Sequence, residues 1–203
     1  MIKKIGWVIM TFLAMGVALY AGLALVMPGA RTPFVQNLFS TLPVAVSLHL
    51  VGGLVAIVVG AFQVNSRLRS RFLPAHRWIG RLYLAAVIVS ASAGFVLALD
   101  SDGGLVAHFG FGMMAVCWFF TTVNAYRHVR AGDTITHREW MLRSYALTLA
   151  AVTLRIYLPL FAIAGYDFDV SYPVISWIAW VPNLLIVEWF ILARANKGAQ
   201  TSV

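Results

Sequence analysis

Six apolar stretches, each close to twenty residues long, dominate this chain: about 5–27, 43–64, 79–99, 104–125, 143–164 and 174–193. A helix crosses the hydrocarbon core of a bilayer with roughly 20 mostly apolar residues. Inside lipid, every backbone N–H and C=O must be bonded within the protein, so stretches of this length span as helices. The sequence therefore predicts an all-α membrane protein with six transmembrane helices. The spans consume most of the 203 residues and leave one membrane domain with no room for a soluble one. Only 11% of residues are charged, against roughly 25% in soluble domains.

Lys3 and Lys4 precede the first stretch, as in the n-region of a signal peptide. Its apolar run exceeds the roughly 7–15 residues of an h-region, so it reads as a retained first helix. The single cysteine, Cys117, falls inside the fourth span and cannot form an intrachain disulfide. No Cys-x-x-Cys-His occurs, which excludes a covalent c-type haem. A Gly-rich phosphate loop, a nucleophile elbow and a metalloprotease motif are also missing from the sequence.

Basic residues concentrate at one end of the spans. Arg67, Arg69, Arg71, Arg77 and Arg81 cluster between spans 2 and 3. Arg127, Arg130, Arg138 and Arg143 lie between spans 4 and 5, and Arg194 and Lys197 follow span 6. The opposite loops carry Arg31, Asp100, Asp102, Asp167 and Asp169. The positive-inside rule then puts both termini in the cytoplasm. The net charge of +8 is topological, favoured also by anionic lipid, and gives no reason to expect nucleic-acid binding. On the outer side, residues 31–42 are mildly amphipathic and suit the membrane interface. Pro74 suits the first turn of span 3, and Thr134 or Thr136 suits the cap of span 5.

Within this frame the chain repeats itself. His49 precedes Asn65 by sixteen residues, and His108 precedes Asn124 by sixteen. His76-Arg77-Trp78-Ile79-Gly80-Arg81-Leu82-Tyr83 is echoed by His137-Arg138-Glu139-Trp140-Met141-Leu142-Arg143-Ser144-Tyr145, offset by Glu139. The predicted organisation is a peripheral helix 5–27, repeat one 43–99, repeat two 104–164 and a peripheral helix 174–193. Spans 2 to 5 would form a four-helix bundle.

His49 and His108 should lie near the outer face, and His76 and His137 at the inner face. In an up-down bundle spans 2 and 4 face each other across a diagonal of roughly 11–14 Å, as do spans 3 and 5. Two inward imidazoles could share one metal. Bare zinc wants about four protein ligands, whereas a haem needs only two axial ones. Gly52, Gly53, Gly112 and the run Ser90-Ala91-Ser92-Ala93-Gly94 would give a haem room, or would simply let helices approach closely. Gly80 does the same beside His76.

Arg155 lies about 27 Å along its helix from His137, near the outer histidines. An arginine inside a span needs a partner. The choices are a haem propionate, Asp167 or Asp169, or snorkelling to the surface. Arg77, Arg81, Arg138 and Arg143 could hold propionates or an anionic substrate, or only fix topology. Glu188 could pair with an inner arginine, the structural reading, or carry a proton, and His128 reads as a solvated loop residue. Trp78, Trp140, Tyr83 and Tyr145 suit an interfacial aromatic belt.

The two His-Arg motifs within six spans resemble a bacterial membrane family known only as a domain of unknown function, over about residues 40–195. One histidine on each of spans 2 to 5 also resembles the ascorbate-reducible di-haem cytochromes b. That resemblance implies an outer haem b on His49 and His108, an inner haem b on His76 and His137, and electrons crossing the cytoplasmic membrane. It implies a transmembrane oxidoreductase acting on quinol, an ascorbate-like reductant or ferric iron. The partners it admits are the lipid bilayer, a quinone or other small redox donor or acceptor, and a second copy of the chain in a homodimer. The rival readings are a small transporter, with the histidines on a polar pathway, and a cofactor-free accessory or assembly subunit.

Overall fold

The computed structural model describes residues 2–63 and 70–200, with side chains for 5–63 and 70–196. Asn65, Arg67 and Arg69 lie outside the described residues. Six helical spans are present, long and apolar enough to cross a membrane: Ile5–Val26, Pro43–Gln63, Leu73–Ala98, Gly104–Arg130, Thr134–Ile163 and Phe168–Asn196. The helices are α1 (Ile2–Val26), α2 (Pro33–Thr41), α3 (Pro43–Gln63), α4 (Leu73–Ala98), α5 (Gly104–Arg130), α6 (Thr134–Thr148), α7 (Ala150–Ile163), α8 (Phe168–Ile178) and α9 (Val181–Gln200). The fifth span is α6 plus α7, and the sixth is α8 plus α9. Large apolar side chains such as Phe12, Ile163 and Trp189 cover the outside of the bundle, where lipid would solvate them.

α3, α4, α5 and α6 form the four-helix ring expected of spans 2 to 5. α4 packs on α3 and α5, α5 on α6, and α3 touches α6 to close it. α1 lies against α3 and reaches α7, while α8 and α9 cover α5 and α6. Small residues set the closest crossings. A Cβ on Gly52 would lie 2.6 Å from the Ala86 carbonyl oxygen and 2.8 Å from Ser90 Cβ, so α3 and α4 meet there backbone to backbone.

Spans 3 and 5 begin earlier than their apolar cores, at Leu73 and Thr134. Pro74 sits in the first turn of α4 as expected. The cap of α6 is neither threonine but Asp133, whose carboxylate accepts from the Thr136 amide at 3.0 Å. Hydrogen bonds from Thr136, with smaller help from His128, hold the Asp133 carboxyl below its ordinary range. His128 belongs to the last turn of α5 rather than to a loop, with its Nδ1 3.3 Å from Asp133.

The fifth span breaks for one residue at Leu149 and the sixth at Ala179 and Trp180. Asn183 bridges the two spans near these breaks. Its amide lies 3.2 Å from the Ala146 carbonyl oxygen and 3.0 Å from Thr153 Oγ1. Such polar groups replace backbone bonds lost where a span deviates from a regular helix.

At the end that the charge rule makes the outer one, α2 forms a roof. Thr32 caps it, accepting from the Val35 amide, and Pro33 starts it. Arg31 donates to the Ala24 carbonyl at 2.7 Å and lies 3.5 Å from the centre of the Phe39 ring, tying α2 to the end of α1. Phe34 packs on Phe168 and Tyr172, so α2 also rests on span 6, where Tyr172 in turn packs on Phe111 of span 4.

Candidate functional site

Beneath α2 lies a cavity of about 920 Å³, with walls from all six spans. Most of its surface is apolar. His49, Ser90, Tyr20 and Arg155 all reach it and share one depth. His49 and Tyr20 each lie six residues, about 9 Å, from the outer end of their helices. Ser90 and Arg155 lie eight residues, about 12 Å, from theirs. These four side chains form a polar belt.

His49 is oriented by α4. Its Nδ1 is 3.0 Å from the Ser90 carbonyl oxygen, while Ser90 Oγ donates to the His49 carbonyl at 2.8 Å. A carbonyl only accepts, so Nδ1 carries the proton in the neutral ring and Nε2 keeps its lone pair. Gly94 makes room for the ring, because a Cβ there would stand 2.9 Å from Nδ1.

Arg155 pairs with neither Asp167 nor Asp169. Among the described residues the ion pairs are His128–Asp133 and Arg143–Glu188. One Arg155 guanidinium nitrogen donates to the Ala151 carbonyl at 2.9 Å, and its centre stands 5.0 Å from the Tyr20 ring centre. A backbone carbonyl and a ring face leave the charge without a counter-ion from the described chain.

The other three candidate ligands, His76, His108 and His137, lie outside the lining of this cavity. His108 turns back to the loop before α5, with Nε2 2.8 Å from the Ser101 carbonyl oxygen. Its proton is therefore on Nε2. His137 has Nδ1 2.7 Å from the Ala125 carbonyl oxygen, fastening the start of α6 to the end of α5. His76 is half-buried in the first turn of α4, and its carbonyl accepts from Gln63 at 3.2 Å.

These contacts bear on haem. An axial imidazole normally binds iron through one nitrogen and donates its other N–H to a carbonyl or carboxylate. His49 and His137 have that arrangement with Nε2 as the open nitrogen. His108 has its Nε2 committed to Ser101, so a grip by Nε2 of both outer histidines does not fit this arrangement.

The inner arginines divide. Arg143 forms a two-point pair with Glu188, at 2.5 and 2.9 Å, and lies 4.7 Å from the Trp140 ring centre. Arg81 lies 4.6 Å from the Trp78 ring centre in the equivalent pose. Arg77 and Arg138 are exposed. Of the four aromatic residues expected at the interface, Trp78 is exposed and Trp140 half-buried, whereas the tyrosines lie elsewhere. Tyr83 and Tyr145 are buried in the bundle.

Sequence reasoning also missed a hydroxyl cluster in the core. Tyr83 OH lies 2.8 Å from both Ser144 Oγ and Thr148 Oγ1, and Thr122 Oγ1 is 2.6 Å from Ser144 Oγ. Trp118 Nε1 donates to Thr148 Oγ1 at 3.0 Å. The cluster joins spans 3, 4 and 5, and Trp118 and Thr148 form part of the cavity floor. The four-residue spacings Trp118–Thr122 and Ser144–Thr148 were its only trace in the sequence.

Neither a search of curated proteins nor one of solved structures finds a match. A family model described as "Predicted membrane protein (DUF2306)" matches residues 46–191, a segment that includes His49, Ser90, Arg155 and both His-Arg motifs. The chain is a multi-pass membrane protein and belongs to that family.

Proposed function

We propose that this protein binds a small amphipathic molecule in the cavity beneath α2, with the ligand's polar end read by His49 and Arg155. The cavity carries the proposal. About 920 Å³ of mostly apolar space, with a few convergent polar groups, is the usual form of a small-molecule site. Gly53 and Gly94 face that space with no side chain of their own. Binding is the step shared by a carrier, a transporter and a receptor subunit.

The test is native mass spectrometry of protein extracted in a mild non-ionic detergent. Wild-type protein should retain a bound molecule of defined mass. Met114→Trp, which pushes an indole into the cavity from α5, should lose it while keeping a similar melting temperature. Wild-type protein without a bound mass, and without thermal stabilisation by total membrane lipid extract, would refute the proposal.

A second reading is the b-type di-haem electron carrier, with His49 and His108 at the outer haem and His76 and His137 at the inner one. The carbonyl-fixed tautomers of His49 and His137 favour it. Haem iron would supply the one-electron chemistry. The chain's part would be ligation at Nε2, with Arg155 facing a propionate. His108 would first have to release Ser101. Purified protein should then show a reduced-minus-oxidised b-type spectrum, weakened in His49→Ala and in His108→Ala. Colourless protein from haem-replete cells eliminates this reading.

A further inference from the structure

The charge in the cavity says more about the ligand than its volume does. Three ionisable or basic lining residues matter: His49, Arg155 and Asp102. Asp102 is exposed in the loop before α5, whereas Arg155 lies within the fifth span. Arg155 has no carboxylate within ion-pair distance among the described residues. A guanidinium held inside a span without a counter-ion is costly and marks a place for an anion. One permanent cation at this depth asks for one negative charge.

The space below the belt defines the remainder. Its walls include Gly53, Leu54, Ile57, Met114 and Leu147. Its floor offers few free polar groups. The Trp118 N–H is spent on Thr148, whose hydroxyl lies 3.0 Å from the Ser144 carbonyl oxygen. A small hydrophilic anion would leave this chamber unfilled, and a second charged group would meet no partner there. The space above the belt differs, since Thr32, Ser101, Asp102 and Ser171 reach it from the outer side.

Building on the cavity-binding reading, we infer that the ligand is a single-chain monoanionic amphipath. Its carboxylate or phosphodiester sits on Arg155 at the level of His49. Its hydrocarbon fills the chamber between that belt and Trp118. Both head groups offer the same chemistry, one negative charge with oxygen acceptors for a guanidinium.

Scintillation proximity binding with purified protein in a non-ionic detergent tests this, using tritiated palmitate, lysophosphatidylglycerol and hexadecanol. At least one of the two anions should bind saturably and at least tenfold more tightly than hexadecanol. The stronger of them identifies the head group. Arg155→Met should reduce anion binding at least tenfold, to the hexadecanol level, and Arg155→Lys should restore much of it. Thermal unfolding confirms that each variant is folded. Equal affinity for hexadecanol and the anions, or unchanged anion binding in Arg155→Met, overturns the inference. If hexadecanol binds and both anions do not, the anion assignment fails while the cavity reading stands. If none of the three binds and native mass spectrometry finds no bound molecule, both fail.

Discussion

Gly60→Ala should lower the melting temperature of the purified protein by roughly 10 °C, although it adds a single methyl group. A Cβ at position 60 would fall on the Cδ2–Cε2 edge of the Tyr145 ring and stand 3.0 Å from Tyr83 Cε2. Neither ring can withdraw without loss. Tyr145 donates its hydroxyl to the Ile57 carbonyl at 3.3 Å. Tyr83 is fixed by Ser144 and Thr148 at 2.8 Å each. Overpacking a core costs about 1–3 kcal/mol and sometimes more. The hydrogen bonds behind these rings put Gly60 at the upper end, about 3 kcal/mol. In a chain of this size each kcal/mol moves the midpoint by roughly 2–4 °C. Gly80→Ala supplies the control, because a Cβ there meets nothing within 4 Å. It should leave the midpoint unchanged or raise it, since alanine favours a helix over glycine. Equal midpoints for Gly60→Ala and wild type would mean that the two tyrosines do not pack on α3 as described.

Those tyrosines also show what could be read in advance. Trp-x-x-Arg-x-Tyr occurs twice, and by residue type alone its tyrosines suit the interface as well as its tryptophans do. Helical geometry separates them. Three residues along a helix turn the side chain by about 300°, so Trp78 and Arg81 share a face, as do Trp140 and Arg143. Five residues turn it by about 500°, which carries Tyr83 and Tyr145 some 140° away from their tryptophans. The motif thus puts an arginine–tryptophan pair on one side of each helix and a tyrosine toward the bundle on the other. The repeat and its spacing contained that division.

The six spans were legible because apolar runs report lipid contact directly. Their inner ends were less legible. Residues such as Arg77, Arg138 and Glu139 lie on helices that extend beyond the apolar core, so hydropathy alone starts spans 3 and 5 too late. The outer histidines were harder still. His49 and His108 look equivalent by their offsets, but their partners come from different places. Ser90 on α4 receives the Nδ1 proton of His49, whereas Ser101 in the adjoining loop receives the Nε2 proton of His108. A repeat in sequence does not fix which carbonyl lies beside an imidazole, because the loop before α5 has no counterpart in the α2 roof before α3.

Arg155→Met should raise the melting temperature of ligand-free protein by about 3–6 °C. A charged side chain at the centre of a span costs about 2.5–3.5 kcal/mol on insertion scales, and less toward the interface. Arg155 is some 12 Å inside the outer end of its span and keeps a backbone hydrogen bond and a ring contact. Those contacts reduce the net cost to about 1–2 kcal/mol, which methionine would remove while filling much of the same volume. A residue kept for packing would do the reverse, since its loss would open a gap and destabilise the fold. The direction of the shift therefore separates the two roles. Thermal unfolding in delipidating detergent should show the increase, and adding back the ligand should stabilise wild type more than the variant. A large fall in the ligand-free midpoint would show that the arginine supports the bundle itself. A rise would mean that the apo fold carries an uncompensated cation, and that its stability is recovered only when an anion enters from outside the chain.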